Sequence, residues 1–313
     1  MNDIKISFLF PGQGSQKPGM LNDLPADDPV QTVVASANSI LNESVYKHHA
    51  KEALHSTKSV QISLLTAGVG AFKAFEAAGV NPDFVAGHSV GAFSAAVAAG
   101  VIDYQDALKA VLFRGELMER AYPHGYGMGV VLGMDENMLK TIVRKHYEET
   151  NPVFISNKNA PDQITLSGAL PGIQKILDAA RQNGARCASF LKVSTPSHCP
   201  LLSSVSEELS EMLRDIPFYR PLIPYAGNRG ARLLFDPVDI RQDLAESVSS
   251  AVQWHDASTV LYENGTRLFV EMPPGNVLSR LATKAFPETR VFSVAENGFD
   301  DCVFIAKRER SKS

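Results

Sequence analysis

The sequence predicts an α/β protein built on a parallel sheet and interrupted by a smaller antiparallel unit, on three observations. Strand and helix patterns alternate through roughly the first 120 residues, the signature of a parallel α/β layer. From about residue 127 to 192 the order becomes strand, helix, strand, strand, helix, strand, the split unit of a ferredoxin-like fold. The alternation then returns, so the small unit reads as an insertion. Residues 1–125 and 194–313 are expected to form one discontinuous α/β domain, and 126–193 an inserted ferredoxin-like domain. A length of 313 residues suits that plan, at roughly 150 residues per domain.

Each element has a local reason. The apolar run from Ile4 to Phe10 predicts a strand, broken at Pro11-Gly12-Gln13-Gly14-Ser15-Gln16, where two glycines allow a tight loop. Ile62, Leu65, Val69, Phe72 and Phe75 recur at helical spacing over 60–78, and Gly79 ends that helix. Phe84-Val85-Ala86-Gly87 is a short buried strand, followed by His88-Ser89-Val90-Gly91, a small-residue helix over 92–99 and a longer helix over 103–121. In the insertion the strands are 128–132, 153–156, 164–167 and 186–193, with helices at 136–148 and 173–183. Helices at 201–213, 238–249 and 255–264 follow, with strands at 223–226 and 268–271. The tail from Lys307 reads as a frayed, solvated end.

Composition removes several classes of function. With 44% hydrophobic and 20% charged residues the chain is ordinary globular protein. Thirty basic residues against 34 acidic ones leave a net charge of -4, so no global field attracts nucleic acid or an anionic membrane. Cys187, Cys199 and Cys302 cannot all pair and lack metal-ligand spacing, so neither a disulfide framework nor a metal site is expected. The first apolar run is too short for a signal peptide and no window approaches a membrane span. The expected location is the cytoplasm.

Three positions stand out chemically. Gly87-His88-Ser89-Val90-Gly91 fits the G-x-S-x-G nucleophile elbow, with a strand before it and a helix after it. Ser89 is then either a nucleophile or a plain helix N-cap. In the first case the backbone N–H of Val90, at the helix start, is the natural first oxyanion donor. A serine nucleophile needs a general base. Of eight histidines, His198 lies in a loop bracketed by Pro196 and Pro200, where an imidazole can be held in one orientation, or can simply cap the loop. Arg114 falls in line with Ala107, Val111 and Met118 on the apolar stripe of its helix. A guanidinium there needs a partner. That partner is either a protein carboxylate or the carboxylate of a ligand, gripped by the arginine fork.

Taken together, these residues make the chain resemble the malonyl-CoA:acyl carrier protein transacylases. The correspondence runs in order through Phe10-Pro-Gly-Gln-Gly-Ser-Gln16, Gly87-His-Ser-Val-Gly91, an arginine 25 residues after the serine, Gly129-Val-Val-Leu-Gly133 and Asn157-Lys-Asn-Ala-Pro-Asp-Gln163. It continues through Ser167-Gly168, Val193-Ser-Thr-Pro-Ser-His-Cys199, Val252-Gln-Trp254 and Glu271 to Leu278. The resemblance implies a hydrolase-like α/β domain with a ferredoxin-like insertion. It implies Ser89 as nucleophile, His198 as base, Arg114 as clamp on the malonyl carboxylate, and the N–H groups of Gln13 and Val90 as oxyanion hole. It also implies a backbone carbonyl near Val252-Gln253 that orients the histidine, making a dyad. Asp135, Asp162 and Asp178 fall in the insertion, away from where a third triad member should be. The implied substrates are malonyl-CoA and the phosphopantetheine-type thiol of an acyl carrier protein, with no bound cofactor. An acidic carrier would need a local basic surface, for which Arg186 and Lys192, on the strand leading to the His198 loop, are candidates.

The chain also departs from the family's usual pattern. Val90-Gly91-Ala92-Phe93 stands where Leu-Gly-Glu-Tyr is usual, and Met272-Pro-Pro-Gly-Asn276 where Val-Gly-Pro-Gly-Lys is usual. Pro18-Gly-Met-Leu-Asn-Asp-Leu-Pro25 and Leu54-His-Ser-Thr-Lys-Ser-Val-Gln61 resemble more closely the transacylase subunit of malonate decarboxylase. The first expectation is therefore that role, with other subunits of that complex as partners. The alternatives are the malonyl transacylase of fatty-acid synthesis and a serine hydrolase or thioesterase.

Overall fold

The computed structural model describes residues 4–122, 124–193 and 195–311. Ser194, in the His198 loop, and the last two residues of the tail lie outside them. In chain order the elements are β1 (Lys5–Phe10), α1 (Asp28–Leu41), α2 (Thr57–Ala77), β2 (Phe84–Gly87), α3 (Gly91–Ala98), α4 (Tyr104–Ala121), β3 (Tyr126–Leu132), α5 (Glu136–Lys145), β4 (Val153–Ala160), β5 (Gln163–Ala169), α6 (Leu170–Gln182) and β6 (Cys187–Phe190). They continue with α7 (Ser203–Arg214), β7 (Tyr225–Ala226), β8 (Leu233–Leu234), α8 (Pro237–Glu246), α9 (Trp254–Glu263), β9 (Thr266–Glu271), α10 (Val277–Ala285), β10 (Arg290–Ser293), α11 (Val294–Asn297) and α12 (Phe299–Arg310).

Two sheets result. The larger has the order β10-β9-β1-β2-β7-β8 and is parallel except for the short edge strand β8. Its central strands are buried and flanked by α2 and α3, whose residues are buried almost all round. The small side chains of Gly91-Ala-Phe-Ser-Ala-Ala-Val-Ala98 let α3 pack into that core. The second sheet, β4-β5-β3-β6, is wholly antiparallel and carries α5 and α6, the ferredoxin-like order expected from the sequence. It has its own apolar core around Val131, Leu166, Ile173 and Leu177.

Hydrogen bonds stitch the two sheets together beside the loops that matter. Val252 donates its N–H to the Ser156 carbonyl and accepts from Lys158 N, both at 2.9 Å. Ser167 Oγ on β5 donates to the Ser197 carbonyl at 2.6 Å. Lys284 on α10 pairs with Asp162, between β4 and β5, at 2.5 Å.

Several expectations need correction. The tail is not frayed up to Arg310: α12 covers it, and Glu309 is buried in an ion pair with Arg290 at 2.6 Å. Helix α1, absent from the sequence reading, is set by Asp27, whose carboxylate accepts the Val30 N–H at 3.1 Å. Among the described residues no helix is long and apolar enough to cross a membrane.

Candidate active site

β1 and β2 lie side by side and parallel, with Phe10 opposite Gly87. The chain therefore leaves the sheet at two neighbouring points, at the carboxyl ends of adjacent strands, where open α/β sheets bind ligands. The loop after Phe10 packs directly on the turn after Gly87: His88 N donates to the Phe10 carbonyl at 2.9 Å.

The turn explains its own glycines. A Cβ on Gly87 would lie 2.1 Å from Gly91 backbone, and one on Gly91 would lie 2.2 Å from the Phe10 carbonyl oxygen. Between them Ser89 takes a left-handed conformation, with φ of 56°. That geometry is strained for a residue with a side chain. It lifts Oγ out of the sheet at the start of α3. His88 turns away from it, its Nε2 3.0 Å from Asn159 Oδ1 and its ring against Trp254.

The His198 imidazole meets Ser89. Nε2 lies 2.7 Å from Ser89 Oγ, while Nδ1 lies 2.6 Å from the Ser247 carbonyl oxygen. A carbonyl only accepts, so Nδ1 carries the proton and the Nε2 lone pair faces the hydroxyl. The loop geometry is unusual here too, with His198 at φ of 63° and its N–H donating to the Val248 carbonyl at 2.8 Å. Burial, reinforced by the charge of Arg114, pushes the His198 pKa down to about 3, so the ring is a neutral base near pH 7.

The orienting carbonyl is a correction. Val252 and Gln253 do not hold the histidine: Nδ1 lies against the Ser247 carbonyl oxygen, while the Val252 carbonyl accepts from Lys158 N and that of Gln253, at the start of α9, from Ala257 N, each at 2.9 Å. Ser247, at the end of α8, takes that place.

Arg114 is 1% exposed, and its Nη2 lies 3.4 Å from Ser89 Oγ. Among the described residues its buried Nε and Nη1 have no hydrogen-bond partner, and no carboxylate pairs with it. Burial lowers its pKa to about 10, which still leaves it charged at pH 7. A buried, charged guanidinium with no carboxylate partner among the described residues, beside a serine hydroxyl, has the chemistry to receive a small anion.

Val90 directly follows Ser89, while Gln13 lies in the loop whose Gly12 packs against His88. Val90 caps α3, and Gln13 sits in the loop after β1 that packs on the elbow. Gln13 also lines a cleft of about 330 Å³ between the two sheets, with Asn157, Asn159, Gln163, Thr165, Lys192 and Val277 among its walls. Lys192 thus stands at the cleft, whereas Arg186 is exposed and 3.9 Å from Asp162. Among the described residues no cluster of three or more His, Cys, Asp or Glu could hold a metal ion.

A family model described as acyl transferase domain matches residues 7–310. The chain belongs to the acyl transferase family. The chain is 36% identical over 302 residues to the malonyl CoA-acyl carrier protein transacylase of Bacillus subtilis, covering 93% of this chain and 94% of that one. Among solved structures, a malonyl CoA-acyl carrier protein transacylase of Coxiella burnetii superposes with a TM-score of 0.93 at 30% identity, covering 98% of each chain. A type II PKS acyl-carrier protein in complex with its malonyl-transacylase matches with a TM-score of 0.90 at 31% identity, covering 97% of this chain and 99% of that one. The α/β layer with its antiparallel unit is thus the acyl transferase fold. Residues that sequence reasoning missed in this acyl transferase are Ser247 and the buried pair Asn228 and Asp243 behind the elbow. A backbone carbonyl has no side-chain signature, and Asn228 sits in a loop without a motif.

Proposed function

We propose that this acyl transferase moves a malonyl group from malonyl-CoA, through an ester on Ser89, to the phosphopantetheine thiol of an acyl carrier protein, as in fatty-acid synthesis. The observation that carries the reading is Arg114, buried, charged and unpaired, 3.4 Å from Ser89 Oγ. So short a gap suits an acyl group whose carboxylate is one methylene from the carbonyl. Water as acceptor would give such a clamp no purpose, which disfavours a hydrolase. The relatives and solved structures named above are carrier-protein transacylases, and this favours the fatty-acid alternative over the malonate decarboxylase role.

In the first half-reaction Ser89 Oγ attacks the thioester carbonyl while its proton passes to His198 Nε2. The N–H groups of Gln13 and Val90 receive the oxyanion. Collapse expels the CoA thiolate, which takes the proton from Nε2. In the second half, the carrier thiol gives its proton to Nε2, attacks the seryl ester, and the proton returns to Oγ. The protons balance through His198, so no bound cofactor is required. The amide and hydroxyl groups of Asn157, Asn159, Gln163 and Thr165 in the cleft suit a pantetheine arm rich in amides. Residues 126–193, taken as an inserted domain, supply that wall.

The test is to mix the protein with malonyl-CoA and a holo carrier protein and follow both products. Malonyl-carrier formed in step with CoA release supports the proposal. Free malonate at the same rate, with the carrier unloaded, would make the protein a thioesterase.

A further inference from the structure

Asn228 lies between β7 and β8, 2% exposed, and spends every polar group it has. Its Oδ1 accepts the Ser89 N–H at 3.1 Å, and its Nδ2 donates to the Gly87 carbonyl at 2.8 Å, so one side chain brackets the elbow. Its backbone carbonyl accepts Gln253 N at 2.8 Å, and its backbone N–H donates to Asp243 Oδ2 at 3.0 Å. Asp243 is itself buried and fixed, accepting from Tyr225 OH at 3.1 Å and from Arg229 N at 3.0 Å.

These contacts join the two halves of the dyad. Ser89 holds a left-handed backbone that a serine does not favour on its own, so something must over-determine it. The bonds of Asn228 to residues on either side of His88 do so. The bond to Gln253 ties the same asparagine to the run of chain after α8, which begins with the carbonyl of Ser247 that orients His198 and the carbonyl of Val248 that holds its loop. Asn228 therefore touches both the segment that aims Oγ and the segment that aims the imidazole.

We propose that Asn228, anchored by Asp243, is the positioning residue of this enzyme, holding Ser89 Oγ and His198 Nε2 in reacting register. The proposal rests on the reading of Ser89 as nucleophile. It assigns no contact of Asn228 with substrate. Its effect is on the rate at bound substrate, not on substrate binding.

The test uses the full chain and two readouts: malonyl transfer, resolved into kcat and KM, and the second-order rate at which a fluorophosphonate labels Ser89. Asn228→Ala is expected to lower kcat and the labelling rate by about 10²-fold, the usual order for displacing a reacting group by an ångström, with KM within about threefold of wild type. Asn228→Asp keeps the volume and the acceptor for Ser89 N–H but sets a carboxylate oxygen against the Gly87 carbonyl. It is expected to show the same split, and it decides the matter if the alanine variant does not fold. Leu213→Ala, a cavity in the buried face of α7, serves as control: it should lower the melting temperature and leave both rates per folded molecule unchanged.

Folded Asn228 variants that turn over and label like wild type overturn the proposal, as does a loss in Leu213→Ala equal to theirs. A loss confined to KM overturns it as well. Wild-type protein left unlabelled at Ser89 overturns both this proposal and the proposed function, whereas labelled wild type with equally fast variants overturns this one alone.

Discussion

Replacing Arg114 by alanine should separate malonyl from acetyl transfer. The side chain is 1% exposed, with Nε and Nη1 without a hydrogen-bond partner among the described residues. A hydrogen bond to a charged group contributes about 1.5–3 kcal/mol. Two such bonds to a malonyl carboxylate give about 3–6 kcal/mol, or roughly 10²–10⁴ in rate at about 1.4 kcal/mol per tenfold. Acetyl presents no carboxylate, so its kcat/KM should change far less. The assay measures kcat/KM for malonyl-CoA and acetyl-CoA in wild type and Arg114→Ala and compares the two ratios. A second signature accompanies the first. Arg114's charge helps hold the His198 pKa down at about 3, so its removal should move the acid limb of acetyl transfer to higher pH. Equal losses on both acyl groups, with an unmoved acid limb, would refute the clamp and make Arg114 a structural residue.

Three further outcomes are expected. His198→Ala should slow Ser89 acylation by about 10²–10⁴-fold, the usual worth of general-base assistance, as measured by CoA release in a single turnover. His198 also sets a pH dependence of stability. Unfolded, it takes a proton near its ordinary 6.5, folded only near 3, so the unfolded state binds more protons between those values and stability falls as pH drops from 6.5. By about pH 5 this group alone costs about 2 kcal/mol. Urea unfolding of His198→Gln should therefore show a shallower acid decline than wild type. Finally, Arg186→Glu combined with Lys192→Glu should slow discharge to an acidic carrier at low salt and weaken its salt dependence, with acylation by malonyl-CoA little changed. Unaltered discharge would move the docking surface elsewhere, with the Arg280/Lys284 face of α10 next to be tested.

What could be read in advance follows from how local each signal is. Ser89 was legible because strand, sharp turn and helix are contiguous, and glycine is required at 87 and 91 because a Cβ there would lie 2.1 Å from the turn's own backbone and 2.2 Å from the end of β1. His198 and Arg114 were legible as oddities: an imidazole between prolines, and a guanidinium on an apolar stripe. Whether Arg114 had a protein partner was not legible, since it depends on every carboxylate that folding brings near. The orienting carbonyl was misplaced because any backbone oxygen can accept, and only the fold that brings the end of α8 to within 2.6 Å of Nδ1 singles out Ser247. Asn228 reaches the elbow across 139 residues of chain, without any local pattern. The last helix was missed for a different reason. Lys307-Arg-Glu-Arg310 looks solvated, yet Glu309 is buried against Arg290, a pairing visible only once β10 and α12 are adjacent.

The central claim, a seryl ester passed to a thiol, is tested most directly by intact-mass and peptide mapping after seconds of exposure to malonyl-CoA. The expected result is a malonyl adduct confined to the peptide carrying Ser89, absent in Ser89→Ala, and discharged by a holo carrier protein much faster than by water. An adduct that persists in Ser89→Ala, or one that water removes as fast as the carrier does, would contradict it.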